Sequence, residues 1–482
     1  MHSGELAPRA EKTAADTDLV VVIPGIMGTS LEDRDGREVW GLGAGGIIGA
    51  LRTLGGSIRD LTLPPDIGYG PADDGVCPRS LIPGLHMIPG LWSPIQGYGE
   101  LARFLTGKRF GLIEETESQP GNLIFFPYDW RLSNRWNATL LKQRVETTLS
   151  RWRESSPARG QAKIVFITHS MGGLIARWYI EQLCGLELVR ALITLGTPHR
   201  GALKALAQLV NGVRKGIGPL RLDLTDFARS LPSSYELLPE YACLDAASGE
   251  MKKTTEVTIP HLDPERIQAG MAFHEELNTG TIDYELIPMV GIGQPTATAA
   301  SLADERLEVS DVFADKELGG DGTVPRLSAR PFQMKERDAA IRGVGDGHGA
   351  LASNRSVLDQ LELVLTAEDV VYRFAAPEGE PSEREVIGLR VPDVHLAGEP
   401  VRATVHAVPR ALEVVAIGDG SRVAASELVR FRSVLDEEGR EIGEATIEGL
   451  APGAYTLVCR APDDPGALRA SPVHASTLIW ND

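Results

Sequence analysis

The sequence has 482 residues, of which 43% are hydrophobic, and its formal net charge at pH 7 is −18. At about 150 residues per domain this length predicts two or three domains with a sizeable core, which excludes a disordered, collagen-like or coiled-coil chain. A chain this acidic has no excess positive charge with which to bind a phosphate backbone, so we expect no nucleic-acid partner.

Cysteine spacing and the N-terminal sequence indicate the cellular compartment. The four cysteines are far apart and form neither a CxxC metal pair nor a disulfide framework; they are Cys77, Cys184, Cys243 and Cys459. No apolar run approaches the roughly 18 residues that span a bilayer, and the N-terminus carries charges where a signal peptide would be apolar. We therefore expect a soluble cytoplasmic protein with a disordered tail over residues 1–17.

Short apolar segments alternate with helical patterns along much of the chain. The apolar segments are typical of strands buried on both faces; they are Leu19–Ile23, Leu123–Phe126, Ile164–Thr168, Ala191–Leu195 and Leu286–Gly291. Helical patterns over Ala138–Arg153 and Leu174–Leu183 lie between the earlier segments. This alternation predicts an α/β domain with a mostly parallel sheet over residues 18–368.

Two long segments interrupt the alternation. Residues 41–96 are rich in Gly, Pro and scattered hydrophobic residues, and residues 204–284 contain short helical patterns and turns. Segments of this length in a compact domain are usually lids or binding insertions, and we predict that role for both. Ordinary loops around the sheet are the alternative.

The composition changes again beyond the α/β domain. Residues 369–384 are polar and contain prolines, which predicts a linker. From residue 385 to residue 482, short alternating segments are separated by turn residues. This pattern predicts an all-β, immunoglobulin-like sandwich.

The segment KIVFITHSMGGLIARWYIE, Lys163–Glu181, joins a buried strand directly to an amphipathic helix at Ser170. Small residues two positions before and after the serine, Thr168 and Gly172, permit the tight turn that exposes a nucleophilic serine above a sheet edge. Thr168 stands where the usual pattern has glycine. We predict a nucleophile elbow at Ser170, with a serine that only caps the helix as the alternative.

A nucleophilic serine needs a histidine base, which in this fold follows it in the chain. Among the ten histidines, His348 lies in a loop after the strand-like segment Ala339–Val344 and before a helix. His169 is expected to point away from Ser170, and His199 to have a structural role; the rest lie in the tail, the insertions or the sandwich. We predict His348 as the base, with a solvated loop histidine as the alternative.

The carboxylate that orients the base lies between serine and histidine in the chain order. Asp321, in GGDGTVP, follows the last long strand, and its flanking glycines allow the turn to approach an imidazole. We predict Asp321 as this acid; Asp315 and Asp346 are alternatives.

The tetrahedral intermediate of acyl transfer needs backbone N–H donors. The fold supplies one from the residue after the nucleophile, Met171, and one from the loop after the first strand, where Ile26 in PGIMGT is the candidate. We expect no cofactor and no metal site. The GxGxxG match over residues 41–46 lacks a convincing strand before it and a helix after it, and the chain has neither a Walker A nor an HExxH motif.

Taken in order, the motifs of the chain resemble those of the lecithin:cholesterol acyltransferase-like family of α/β-hydrolases, which includes phospholipases and O-acyltransferases. They are VVIPGIMGTSLE at residue 21, GYGEL at 97, FPYDWR at 126, THSMGG at 168, TLGTPHRG at 194, LPSSYELLP at 231, GGDGTVP at 319 and GHGALASN at 347. The resemblance spans residues 19 to about 366 and does not include the sandwich. It implies a Ser170, Asp321, His348 triad, Ile26 and Met171 as oxyanion donors, and a cap that contacts membranes.

These features predict a serine-dependent lipid ester hydrolase or O-acyltransferase that forms an acyl-enzyme on a phospholipid or acylglycerol type of ester. A soluble carboxylesterase for small esters, and a silent hydrolase fold that binds a lipid or protein, are alternatives. We expect any contact of the cap with a membrane or lipid aggregate to be transient and hydrophobic, because the acidic chain is not attracted to anionic lipids. The sandwich is a candidate for binding a protein or glycan, although a passive stabilising module is slightly favoured.

Overall fold

The structure, a computed structural model, describes most of the chain. The described ranges are 17–41, 61–64, 67–71, 74–84, 86–88, 91–215, 222–245, 250–313, 316–335, 338, 340–366, 387–407, 409–418, 420–435, 441–462 and 472–480. Several expectations lie outside them: the tail up to residue 16, the GxGxxG segment from residue 42 onward with much of the first insertion, the linker over 369–384, and Asp315. The domain boundaries therefore remain predictions.

A six-stranded, wholly parallel sheet forms the centre of the α/β unit. In spatial order its strands are Arg342–Val344, Glu285–Gly291, Val189–Leu195, Ile164–His169, Leu19–Ile23 and Leu123–Phe125. The five predicted strands are confirmed with ends shifted by at most two residues, and the strand-like segment before His348 forms only Arg342–Val344.

Helices cover both faces of this sheet. The described α-helices are Gly99–Thr106, Asn134–Glu154, Gly172–Gln182, Leu203–Asn211, Thr225–Ser230, Pro232–Tyr235, Pro264–Asn278 and Arg355–Thr366, with single 3₁₀ turns at Pro157–Arg159, Leu186–Leu188, Thr254–Glu256 and His348–Ser353. Alternate residues of each strand enter two different cores: Val21 packs in one core and Val20 in the other. This three-layer arrangement around a parallel sheet is the predicted α/β-hydrolase-like fold.

Short strands decorate the α/β unit, mainly within and beside the two insertions. They are Thr29–Glu32, Glu38–Trp40, Cys77–Leu81, His86–Ile88, Leu91–Ile95, Arg214–Lys215, Leu222–Asp223, Leu244–Asp245, Met251–Lys252, Ala299–Ala303, Arg306–Ser310, Val312–Phe313 and Lys316–Glu317. The second insertion contains the predicted short helices. Within the described ranges, no helix has both the length and the apolarity needed to cross a bilayer.

The C-terminal residues form a two-sheet sandwich with its own hydrophobic core. One sheet contains Gly388–Arg390, Val401–His406, Glu441–Ile447 and Arg430–Leu435; the other contains Val394–Leu396, Val473–Trp480, Gly453–Arg460, Glu413–Gly418 and Ser421–Ala425. The immunoglobulin-like sandwich predicted from alternating segments is confirmed. All four cysteines lie in described residues and are free, as their spacing indicated.

A buried arginine joins the first insertion to the sheet. The Arg131 side chain, in FPYDWR, has no exposed surface. Its guanidinium donates to Asp129 at 2.7 Å and to Asp74 of the insertion at 2.7 Å. Because a buried cation is stable only when paired, this one side chain fixes the insertion against the loop that follows strand Leu123–Phe125.

Replacing Arg131 by Met leaves both carboxylates without their cation, so we expect a loss of about 3–5 kcal/mol in unfolding free energy. Urea denaturation followed by tryptophan fluorescence measures this loss. Arg103→Met is the matched control, because Arg103 and Glu100 form an exposed pair at 2.6 Å; its cost should stay below about 1 kcal/mol. Equal losses in the two variants would show that Arg131 does not hold the insertion.

Candidate active site

Ser170 lies in a tight turn between its strand and the helix Gly172–Gln182. Its backbone has a left-handed φ of +51°. The Ser170 N–H donates to Leu195 O at 2.9 Å, and the Thr197 hydroxyl donates to Ser170 O at 2.8 Å. The loop after strand Leu19–Ile23 comes so close that a Cβ on Gly25 would lie 2.9 Å from Ser170 Cβ. The predicted strand–turn–helix elbow is therefore present.

Three predicted side chains meet at this turn. Ser170 Oγ lies 2.9 Å from His348 Nε2, and His348 Nδ1 lies 2.7 Å from Asp321 Oδ2. The Asp321 carboxylate also accepts the N–H groups of Thr323 and Val324, at 2.9 and 2.7 Å. The His348 N–H donates to Asp321 O at 2.8 Å, so backbone and side-chain contacts both hold acid and base together.

Of the two alternative acids, Asp346 has other partners. Its Oδ2 lies 2.9 Å from His474 Nδ1 and accepts Asn354 Nδ2–H at 2.8 Å. Its Oδ1 accepts the backbone N–H groups of Gly347 and His474, at 2.8 and 2.9 Å. Asp346 thus shapes the loop before His348, and its carboxylate bonds to His474 instead of to the His348 imidazole. Asp315 lies outside the described residues.

The predicted oxyanion donors adjoin Ser170. Ile26 lines, with Ser170 and His348, a cavity of about 30 Å³. Within the described part of the chain, the backbone N–H groups of Ile26 and Met171 have no hydrogen-bond acceptor. Two unpaired amides beside a serine are what a developing oxyanion needs.

Aromatic side chains hold the loop that carries Ile26. Trp40 Nε1 donates to Met27 O at 3.1 Å, the Tyr128 hydroxyl to Pro24 O at 3.0 Å, and Trp130 Nε1 to Thr29 O at 3.1 Å. Each of these buried carbonyl oxygens therefore accepts a hydrogen bond from a side chain in place of water. The loop is fixed although Met27 has a left-handed φ of +63°.

Tyr98 is a site residue to which the sequence analysis assigned no role, although it lies in the motif GYGEL. Its buried hydroxyl accepts the Gly25 N–H at 2.8 Å and lies 2.9 Å from His169 Nδ1. His169 Nε2 lies 3.0 Å from His348 O. Burial, with the nearby His348, lowers the pKa of His169 to about 3. The neutral ring therefore accepts from Tyr98 and donates to His348 O, which links the loop that carries Ile26 to the loop that carries His348.

His199, for which we expect a structural role, forms hydrogen bonds to side chains outside the candidate active site. His199 is buried, with Nε2 3.2 Å from Thr194 Oγ1. Burial, followed by the positive charge of Arg177, lowers the pKa of His199 well below its usual value. It is a neutral structural residue between strand Val189–Leu195 and helix Gly172–Gln182.

The sandwich is linked by hydrogen bonds to the loops that carry Asp321 and His348. His474 binds Asp346, two residues before His348. Gln294, whose backbone pairs with Gly320 beside Asp321, donates its side-chain amide to Ile387 O at 3.0 Å and accepts the Leu389 N–H at 3.0 Å. Both loops are thus braced by the C-terminal sheets.

No group of three or more His, Cys, Asp or Glu side chains in the described ranges is arranged to hold a metal ion.

Comparison with known proteins identifies relatives of the region around Ser170. The sequence model of the family described as lecithin:cholesterol acyltransferase matches residues 113–279, which include Ser170 but not Ile26, Asp321 or His348. A curated relative, lecithin-cholesterol acyltransferase-like 4 of Arabidopsis thaliana, is 27% identical over 256 residues, which are 48% of this chain and 45% of the relative. The chain therefore spans about half the length of the curated relative that it matches. The resemblance to this family is confirmed.

Solved structures share parts of the fold. A Tle4–Tli4 complex has 17% identity and a TM-score of 0.46, covering 72% of this chain and 98% of that one. The mature lipase BlEst2 of Bacillus licheniformis has 15% identity and a TM-score of 0.30, covering 51% and 79%. These likenesses are too distant to bear on the chemistry of this chain.

Replacing Tyr98 by Phe removes the hydroxyl that joins Gly25 to His169. We expect kcat for a chromogenic ester to fall, by less than the roughly 100-fold that loss of an oxyanion donor costs, because the loop shifts but keeps its amides. Steady-state kinetics measure this effect. Tyr455→Phe is the control, since it removes a comparable hydroxyl bond, to Ala451 O at 2.8 Å, within the sandwich. A kcat as high in Tyr98→Phe as in this control would show that the link is not needed.

The contact between His474 and Asp346 makes stability depend on pH. Burial alone would lower the pKa of His474, but the hydrogen bond to Asp346 and its negative charge outweigh burial and raise the pKa above 6.5. A raised folded-state pKa stabilises the protein fully below pH 6.5, and this contribution is lost as the pH rises through the folded-state pKa.

We therefore expect His474→Gln to lower the melting temperature most near about pH 6 and progressively less toward about pH 8.5. Differential scanning fluorimetry across this range measures the difference from the unchanged protein, with Arg402→Gln on the same sandwich as the control. A difference that stays constant with pH would exclude the charged pair.

Proposed function

We propose that this chain is a serine-dependent acyl-ester enzyme, a lipid ester hydrolase or O-acyltransferase, which forms its acyl-enzyme on Ser170. One observation carries the proposal: the hydrogen-bonded series Asp321, His348, Ser170 lies next to two backbone amides that have no acceptor among the described residues. The α/β-hydrolase-like fold and the resemblance to the lecithin:cholesterol acyltransferase family support it.

The geometry suits each step of acyl transfer. His348 Nε2 takes the proton of Ser170 Oγ as the oxygen attacks the ester carbonyl, and Asp321 stabilises the imidazolium through Nδ1–H. The amides of Ile26 and Met171 hold the oxyanion. His348 then returns the proton to the leaving alcohol. Water or a second alcohol, deprotonated by the same imidazole, releases the acyl group from Ser170.

The walls of the cavity at Ser170 favour an apolar acyl group. They include Ala205 and Leu237 of the second insertion and Ala202 just before it, together with Pro198 and Val324. At about 30 Å³ the cavity is much smaller than the several hundred Å³ of most ligand sites, so a long acyl chain fits only if these side chains move. This small volume is the observation that favours the second candidate, a carboxylesterase for small esters. Contact of the cap with a lipid surface belongs to the first candidate.

Single substitutions of the three side chains test the proposal. We expect Ser170→Ala and His348→Ala to lower kcat on p-nitrophenyl butyrate on the order of 10⁴-fold. Asp321→Asn should act similarly, because the tautomer of the His348 imidazole is then no longer fixed. Ser353→Ala, which removes a hydroxyl that donates to Gln96 Oε1 at 3.0 Å, is the matched control and should retain its activity. Full activity of Ser170→Ala would refute the proposed nucleophile.

The length of the preferred acyl chain distinguishes the two candidate functions. A lipid enzyme should show kcat/KM rising from p-nitrophenyl acetate to the decanoate, and higher activity above the concentration at which the ester aggregates, since each buried CH₂ contributes about 0.8 kcal/mol. Kinetics on a homologous ester series measure this trend. A steady fall in kcat/KM beyond the butyrate would favour the small-ester carboxylesterase.

A further inference from the structure

A large cavity lies between the sandwich and the α/β unit. Its volume is about 610 Å³, within the range of ligand sites. The sandwich contributes one wall, with Arg390, Val391 and Ser476, and the α/β unit contributes the opposite wall, with Val309 on the strand Arg306–Ser310. This cavity is distinct from the small apolar one at Ser170.

The two cavities share lining residues at His348, the proposed general base. His348 and Thr323 line both, and Asp321 lines only the larger one. Ile26 and Ser170 line only the smaller one. The oxyanion and the acyl group therefore belong to the small cavity, and the large cavity opens on the side of the imidazole.

The imidazole side is where alcohols arrive and leave. His348 protonates the departing alcohol oxygen and deprotonates the incoming hydroxyl, so that oxygen must lie next to the ring in both half-reactions. A cavity that ends at His348 is thus placed to hold the remainder of the alcohol.

The charges in the lining have partners in the protein. Arg390 pairs with Asp311 at 2.9 Å. His474 pairs with Asp346 at 2.9 Å, and the Lys204 ammonium lies 3.4 Å from the Thr323 hydroxyl. A ligand charge at Arg390 or His474 would have to break one of these ion pairs, at a cost in desolvation. The Gln96 side chain also lines the cavity, and its amide group can hydrogen-bond to hydroxyl groups.

We propose that the sandwich completes the alcohol site of this enzyme, and that this site takes a neutral polyol, with glycerol as the simplest member. The inference rests on the proposed function, since it concerns the second half-reaction of the same acyl-enzyme. It gives the sandwich a role in choosing between alcohol and water, and so between transfer and hydrolysis.

The step balances without any further reactant. A glycerol hydroxyl oxygen attacks the carbonyl carbon of the Ser170 ester as its proton passes to His348 Nε2. The new C–O bond forms, the bond from the carbonyl carbon to Ser170 Oγ breaks, and the proton returns from His348 to Oγ. The products are free enzyme and a monoacylglycerol.

The partition of the acyl-enzyme between acceptors tests the proposal. The full-length protein is acylated with p-nitrophenyl butyrate in the presence of glycerol or methanol, and the yields of butyrylglycerol, methyl butyrate and butyric acid are measured. Each ratio of transfer to hydrolysis is taken on the same acyl-enzyme, so changes in the acylation rate cancel. We expect the unchanged protein to transfer more butyrate per mole of glycerol than per mole of methanol.

Two variants fill the cavity from opposite walls at exposed positions. Arg390→Trp acts from the sandwich and Val309→Trp from the α/β unit, where Val309 is 50% exposed. We expect each to lower the glycerol ratio on the order of tenfold relative to the methanol ratio, because methanol is too small to meet the new ring. Arg402→Trp adds the same bulk elsewhere on the sandwich and should keep the ratio of the unchanged protein.

The possible failures are distinguishable. Release of p-nitrophenol no faster than in Ser170→Ala would refute the proposed function, and the inference with it. Release that depends on Ser170, but with glycerol no better an acceptor than methanol, would overturn the inference alone. The same holds if both Trp variants keep the glycerol ratio of the unchanged protein, or if methanol transfer falls as much as glycerol transfer.

Discussion

The left-handed backbone of Ser170 is the constraint on which the rest of the site depends. A non-glycine residue at a φ of +51° costs on the order of 1 kcal/mol, and the turn persists because its surroundings hold it. The strand Val189–Leu195 provides one acceptor through Leu195 O, and Thr197 provides one donor. Gly25 lets the loop that carries Ile26 come within contact of the serine. Without this turn the hydroxyl would not stand between His348 and the two amides.

Each partner of Ser170 is held by a different part of the chain, and none by local sequence alone. Asp321 and His348 bond to each other through backbone as well as side-chain atoms. Tyr98 and His169 join the oxyanion loop to His348 O across the strand that carries the serine. The sandwich bonds to Asp346, two residues before His348, and to Gln294, whose backbone pairs with Gly320 beside Asp321. The position of the imidazole therefore depends on contacts that span from the first strand of the sheet to the last strand of the sandwich.

Features with a local physical signature could be predicted from the sequence. The buried strands, the elbow at Ser170 and the alternating strands of the sandwich each follow from residues adjacent in the chain. Chain order predicts Asp321 but does not exclude Asp346, because the partner that occupies Asp346 is His474, 128 residues away. The sequence does not indicate a role for Tyr98 for the same reason, because its hydroxyl bonds to Gly25 and His169, which are remote from it in the chain. The cavity between the sandwich and the α/β unit has no sequence signature at all.

Labelling with a fluorophosphonate, followed by intact-mass and peptide mass spectrometry, tests the central claim most directly, since the reagent reacts with a serine only when a base activates it. The account predicts one adduct per chain, located on Ser170, and its loss in His348→Ala with the fold retained. An adduct on another serine, or labelling of Ser170 that is equally fast without His348, would contradict it.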